Sequence, residues 1–209
     1  FMSNLMDYLD WRGDLTFREA PFNEVDNLIL AQLVYVEFAG IVPAPGEEGT
    51  ITVKEACELF FAAHDRKEIM ERVSMTKTAA FVLEKMAQTE RFCNAQLFGY
   101  INDISKEEQS QFSVVCVRLD DKSIYVSFSG TDNTIVGWRE NFNMGYLSET
   151  PGQLKAVDYL NHMVKEDWKK IRVGGHSKGG NLSVYASVKC DRNIQKRIVK
   201  VYSNDGPGF

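Results

Sequence analysis

The sequence predicts an α/β fold, a mainly parallel, covered sheet preceded by a helical N-terminal region. Three observations carry this. After Glu108, β-rich apolar runs alternate with amphipathic helical segments, the pattern of strands joined by crossovers. Residues 114–117, Val-Val-Cys-Val, are continuously apolar, as a strand buried on both faces requires. Before residue 110 the apolar residues recur mostly on a helical period. The reading is a single domain over 1–209, with 1–110 mostly helical and 111–209 bearing the sheet.

Taken in order, Asn23 is placed to cap a helix running to about residue 39, with Val25, Leu28, Ile29, Leu33, Val34 and Phe38 on one period and Gly40 as the stop. The proline- and glycine-rich stretch 42–49 is a surface loop. Thr52-Val53-Lys54-Glu55 has the form of a capping box and opens a helix containing Leu59, Phe60 and Phe61. Another helix covers about 76–88. Strands are expected at 112–119 and 123–128, separated by the polar turn Asp120-Asp121-Lys122. A helix follows over about 152–168, with Leu154, Val157, Leu160, Val164 and Trp168 on one face. Then come a strand at 170–173, a glycine-rich turn, a helix over 179–188 and a strand at 198–202.

Composition removes several function classes. The chain has 209 residues, is 44% hydrophobic and carries a formal charge of −5 with no Lys/Arg block longer than two, so it can bury a core and a nucleic-acid partner is not expected. No apolar run approaches the roughly 20 residues that cross a bilayer, and the N-terminus shows no signal peptide, so no integral membrane association is expected. Cys57, Cys93, Cys116 and Cys190 form no CxxC pair and read as buried thiols of a reducing, cytoplasmic compartment. His64, His162 and His176 share no ligand spacing with them, which argues against a metal site.

The motif that carries chemistry is Gly175-His176-Ser177-Lys178-Gly179, followed by Gly180. It matches G-x-S-x-G and stands between an apolar strand and an amphipathic helix, where such a motif presents a nucleophile. The serine occupies a tight, strained turn, so its flanking glycines must lack Cβ atoms for strand and helix to approach. Its hydroxyl then lies beside the first N–H groups of the helix, which with the helix dipole can stabilise an oxyanion. A plain βα turn would use the same residue types. Upstream, Ser127-Phe128-Ser129-Gly130-Thr131-Asp132 ends a strand, and Trp138 and Asn141 follow.

A hairpin ending in Phe-x-Gly-Thr, then a Trp, a helix and Gly-His-Ser-x-Gly-Gly resembles the class 3 lipase branch of the α/β-hydrolases over about residues 112–209. The whole chain, with Asp10-Trp11-Arg12-Gly13-Asp14, 21–27 (Pro-Phe-Asn-Glu-Val-Asp-Asn) and Gly175 to Asn181, looks like a bacterial family related to those lipases. The resemblance implies an α/β-hydrolase-like fold and Ser177 as nucleophile. It also implies an oxyanion hole from the backbone N–H groups of Thr131 and Lys178, with Gly175, His176, Gly179 and Gly180 forming the nucleophile elbow. The implied activity is an esterase, lipase or thioesterase on a small-molecule ester or acyl substrate, with no cofactor or metal.

Two departures qualify it. Hydrolases of this kind place Asp or Glu and then His after the serine, but no histidine follows Ser177. His176 sits inside the turn and points away, His64 and His162 are expected on helix surfaces, and Asp191 in a solvated loop. Asp205 ends a strand, a position from which side chains reach a site. The base and acid are therefore expected beyond residue 209, in a C-terminal part of the sheet not included here. The rival is a catalytically inactive hydrolase-fold module that binds a ligand or protein. Lys178 replaces the usual apolar residue, either favouring an anionic substrate or leaving group or snorkelling to solvent.

Overall fold

Strand order follows chain order. The computed structural model describes residues 2–72, 75–107, 110–132 and 149–204. Five helices come first, α1 (Met2–Arg12), α2 (Glu24–Leu33), α3 (Val53–Ala63), α4 (Arg66–Glu71) and α5 (Met75–Ala87), with the short β1 (Ile51–Thr52) before α3. Then follow β2 (Gln96–Ser105), β3 (Ser110–Arg118), β4 (Ile124–Asp132), α6 (Pro151–Met163), β5 (Ile171–His176), α7 (Lys178–Lys189), α8 (Arg192–Gln195) and β6 (Ile198–Asn204). The six strands form one sheet in the order β1 to β6.

The architecture is α/β, with a correction to the sheet. Three of the five pairings are antiparallel, β1–β2, β2–β3 and β3–β4, and two are parallel, β4–β5 and β5–β6. A mainly parallel sheet is thus not what forms among the described residues. A tight turn joins β3 to β4, with Lys122 at φ 67° and Asp121 accepting from the Ser123 amide. The β2–β3 and β3–β4 connections are too short for a crossover helix, whereas the long β1–β2 connection carries α3–α5 and still returns antiparallel. A second correction is β2, a ten-residue strand inside the stretch read as mostly helical. Its period breaks at Gly99, where φ is +65° and the register against β3 shifts between Phe98 and Ile101. A Cβ there would stand 2.6 Å from the Tyr159 hydroxyl, which donates to the Gly99 carbonyl at 2.6 Å.

Helix ends also move. Asn23 caps α2, its side chain accepting from the Val25 and Asp26 amides, but the helix stops at Leu33 rather than near 39. Val34-Tyr35-Val36 are poor helix formers. The chain turns there while Val36 and Phe38 stay buried, so the apolar period outlasts the helix. Likewise α6 ends at Met163, and Trp168 fills the core from the following turn, 2% exposed.

Alternation along the strands divides the core in two. Val115, Val117, Tyr125 and Tyr202 face the layer of α1–α5. Val114, Cys116, Val126 and Phe128 face α6 and α7. The N-terminal layer is pinned by one buried ion pair. Arg91, 3% exposed, donates to both carboxylate oxygens of Asp26 at 2.9 and 2.6 Å. The same guanidinium donates to the carbonyls of Leu15, Thr16 and Ala20 and lies 3.9 Å from the Phe17 ring centroid. The acidic and aromatic segments around 10–27 therefore hold the fold.

Cys57, Cys116 and Cys190 are buried, Cys93 is half-buried, and all four are free. Burial pushes the Cys116 thiol up to about 12, against a smaller lowering by its hydrogen bond with Tyr159. Among the described residues no helix is long and apolar enough to cross a membrane.

Candidate functional site

Strands β4, β5 and β6 run parallel, so their C-terminal ends meet at one edge of the sheet, the edge where α/β sheets carry their ligands. Ser177 is there, between the last residue of β5 and the first of α7. Its backbone is at φ 51°, ψ −114°, a region that costs a side-chain-bearing residue about 1–3 kcal/mol. Ser177 is exposed, while the six residues of β5 before it are all buried.

Close packing imposes the turn. A Cβ on Gly179 would stand 2.2 Å from the Phe128 carbonyl oxygen and 3.2 Å from Ser129 Cα. One on Gly175 would stand 2.3 Å from that same oxygen, and one on Gly180 2.9 Å from Ser203 Cα. All three glycines thus let α7 settle directly onto the backbones of β4 and β6. Lys178 occupies the first helical position and is half-buried, where the leading N–H groups project out of the helix end. Thr131 is exposed near the end of β4, opposite Gln111 of β3 and two residues past the Ser129–Gly179 approach. Structure therefore gathers Ser177, Lys178 and Thr131 along one edge. Trp138, Asn141 and Asp205 lie outside the described residues.

The three histidines are placed elsewhere. His176 is 3% exposed on the α2 face of β5, its Nε2 3.2 Å from Gln32 Nε2 and its ring 6.4 Å from that of Tyr35. His64 ends α3, stacked on Phe60, with Nδ1 3.0 Å from the Phe60 carbonyl. His162 is exposed on α6, Nδ1 2.7 Å from the Asp158 carbonyl. Asp191 is exposed, its amide donating to Asn161. Among the described residues no group of His, Cys, Asp or Glu could hold a metal ion. A cavity of about 440 Å³ opens beside α6, floored by Ile101, Phe112, Tyr159 and Met163 with Lys155 and His162 at its rim, and none of its lining residues belongs to the elbow.

Beneath the elbow lies a polar cluster that motif reading missed. The Ser177 amide donates to the Asn204 carbonyl at 2.7 Å. The Asn204 side chain pairs reciprocally with that of Asn27 at 2.9 and 3.1 Å, and the Tyr125 hydroxyl donates to Asn27 Oδ1 at 2.6 Å. Burial, and then the neighbouring Tyr202, push the Tyr125 phenol well above its ordinary pKa, so it remains a donor. Burial likewise raises Tyr35, partly offset by its hydrogen bond with Ser129. On the other side, the Thr150 amide donates to Gln153 Oε1 at 3.0 Å, and Gln153 Nε2 donates to Asn181 Oδ1 at 3.1 Å. Only Asn27, Ser129 and Asn181, as members of the quoted segments, gave any signal of this.

One family model, described as Mbeg1-like, matches residues 86–209. The chain belongs to the Mbeg1-like family. Comparison with curated proteins and with solved structures found no match. The Mbeg1-like region begins inside α5 and takes in β2 to β6, α6, α7 and the turn that carries Ser177. It also contains Arg91, so the anchor of the N-terminal layer is part of the Mbeg1-like region whereas its partner Asp26 is not.

Proposed function

We propose that Ser177 is the nucleophile of a serine hydrolase acting on carboxylic esters, of the esterase, lipase or thioesterase kind. One observation carries the reading: an exposed serine held at positive φ between a buried strand and a helix N-terminus, by glycines that leave no room for a Cβ. Such a turn spends conformational energy to present a hydroxyl. The hydroxyl oxygen attacks the ester carbonyl carbon while its proton passes to a general base. The N–H groups of Thr131 and Lys178 hold the tetrahedral oxyanion, aided by the α7 dipole. Collapse expels the alcohol or thiol, and water then releases the acyl group from Ser177. The chemistry requires no metal or cofactor. The base is a histidine, with its acid, from outside these 209 residues.

Fluorophosphonate labelling of the natural full-length chain tests this by intact mass. One adduct on the wild type and none on Ser177→Ala is the expected result, and a wild type that never labels overturns it. A second reading, an inactive hydrolase-fold binding module, is favoured by the placement of His64 at the end of α3, of His162 on the exposed side of α6 and of His176 on the buried α2 face. It requires that Ser177→Ala leave ligand or partner binding intact and that the wild type show no adduct.

A further inference from the structure

The orientation of Asn181 follows from a chain of amides with a fixed starting point. A backbone N–H can only donate, so the Thr150 amide compels Gln153 to present its oxygen. The Gln153 NH₂ then faces Asn181, which must answer with its own oxygen. The Asn181 NH₂ is left directed elsewhere, on an exposed side chain, with no partner among the described residues. Gln153 is 3% exposed, so the chain is anchored in a buried, capped helix start and does not swing with solvent.

Asn181 lies one turn along α7 from Ser177, and its backbone N–H donates to the Ser177 carbonyl at 3.2 Å. Helical side chains lean toward the N-terminus and cover the turn before their own Cα. Asn181 therefore overhangs the turn bearing Ser177. Resting on the hydrolase reading, we infer that Asn181 is a specificity determinant of this site. Its oriented NH₂ donates to an oxygen of the substrate about one helical pitch, ~5 Å, from the scissile carbonyl. The favoured class is then an ester whose acyl part carries a second carbonyl or carboxylate oxygen at that spacing, rather than a plain alkanoate.

Asn181→Asp is the discriminating variant, because it keeps an oxygen for Gln153 and replaces the outward donor by an acceptor. The readout is the ratio of kcat/KM for 4-nitrophenyl methyl succinate to that for 4-nitrophenyl hexanoate, a chain of equal length lacking the second carbonyl. Fluorophosphonate labelling runs in parallel on the natural full-length chain. The ratio should fall about tenfold or more in both Asn181→Asp and Asn181→Ala, as loss of one positioned donor predicts. A wild type that labels at Ser177, with the ratio unchanged in both variants, overturns the role of Asn181 alone. A fall in the Asp variant with the Ala variant at the wild-type ratio reports repulsion by an introduced charge and overturns it too. A wild type that neither labels nor hydrolyses either ester overturns the hydrolase reading, and this inference with it.

Discussion

Asp26 and Asn27 are consecutive on α2, 0% and 1% exposed, and they anchor different parts of the molecule by different means. Asp26 takes the Arg91 guanidinium and through it the 15–20 loop, a charged clamp on the N-terminal layer. Asn27 takes Asn204 and Tyr125, a neutral cluster under the elbow. Buried charge tolerates no missing partner, because the survivor keeps its full desolvation cost. A neutral amide left alone costs much less. The fold is thus held where loss is most costly, and Ser177 is supported where loss is milder.

Replacing Arg91 by Ala sets the upper end of this contrast. It leaves the Asp26 carboxylate buried without a counter-charge, accepting only from Tyr8 and the Asn23 amide, and should lower unfolding free energy by about 3–5 kcal/mol in urea titration, while the folded fraction still reacts at Ser177. A loss below about 1 kcal/mol would end the distinction between the two anchors. Gly179→Ala comes next. On an open helix it would gain about 1 kcal/mol. With the Phe128 carbonyl 2.2 Å from the new methyl, it should instead cost about 3 kcal/mol by the same titration. Asn27→Ala has the smallest effect on stability, about 1–2 kcal/mol, but should slow fluorophosphonate labelling of Ser177 where Arg91→Ala does not. Equal labelling rates in the two variants would mean that the Asn27–Asn204 pair does not position the serine.

Much of the second half was legible because its strands and helices obey their periods without interruption. The runs at 112–119 and 198–202 and the helix over 179–188 match β3, β6 and α7 within two residues at either end. The turn at Ser177 was legible because glycine spacing states a steric requirement locally. The β2 strand was not, since Gly99 and Asn102-Asp103 break its alternation, and the glycine is explained by Tyr159 and Met163, sixty residues and more away. The antiparallel β3–β4 hairpin was legible from its polar turn, but the β1–β2 and β2–β3 pairings were lost with β2. Asn204 and Gln153 were invisible for a related reason: amides are common, and what distinguishes these two is a partner remote in sequence.

The bond from the Ser177 amide to the Asn204 carbonyl has a consequence in time. A growing chain acquires Ser177 well before Asn204, and the reciprocal amide pair then joins residues 177 positions apart. Hairpins such as β3–β4 close short loops early, whereas this contact must wait for β6 to emerge and lie beside β5. On a ribosome, the serine is therefore made first and set last.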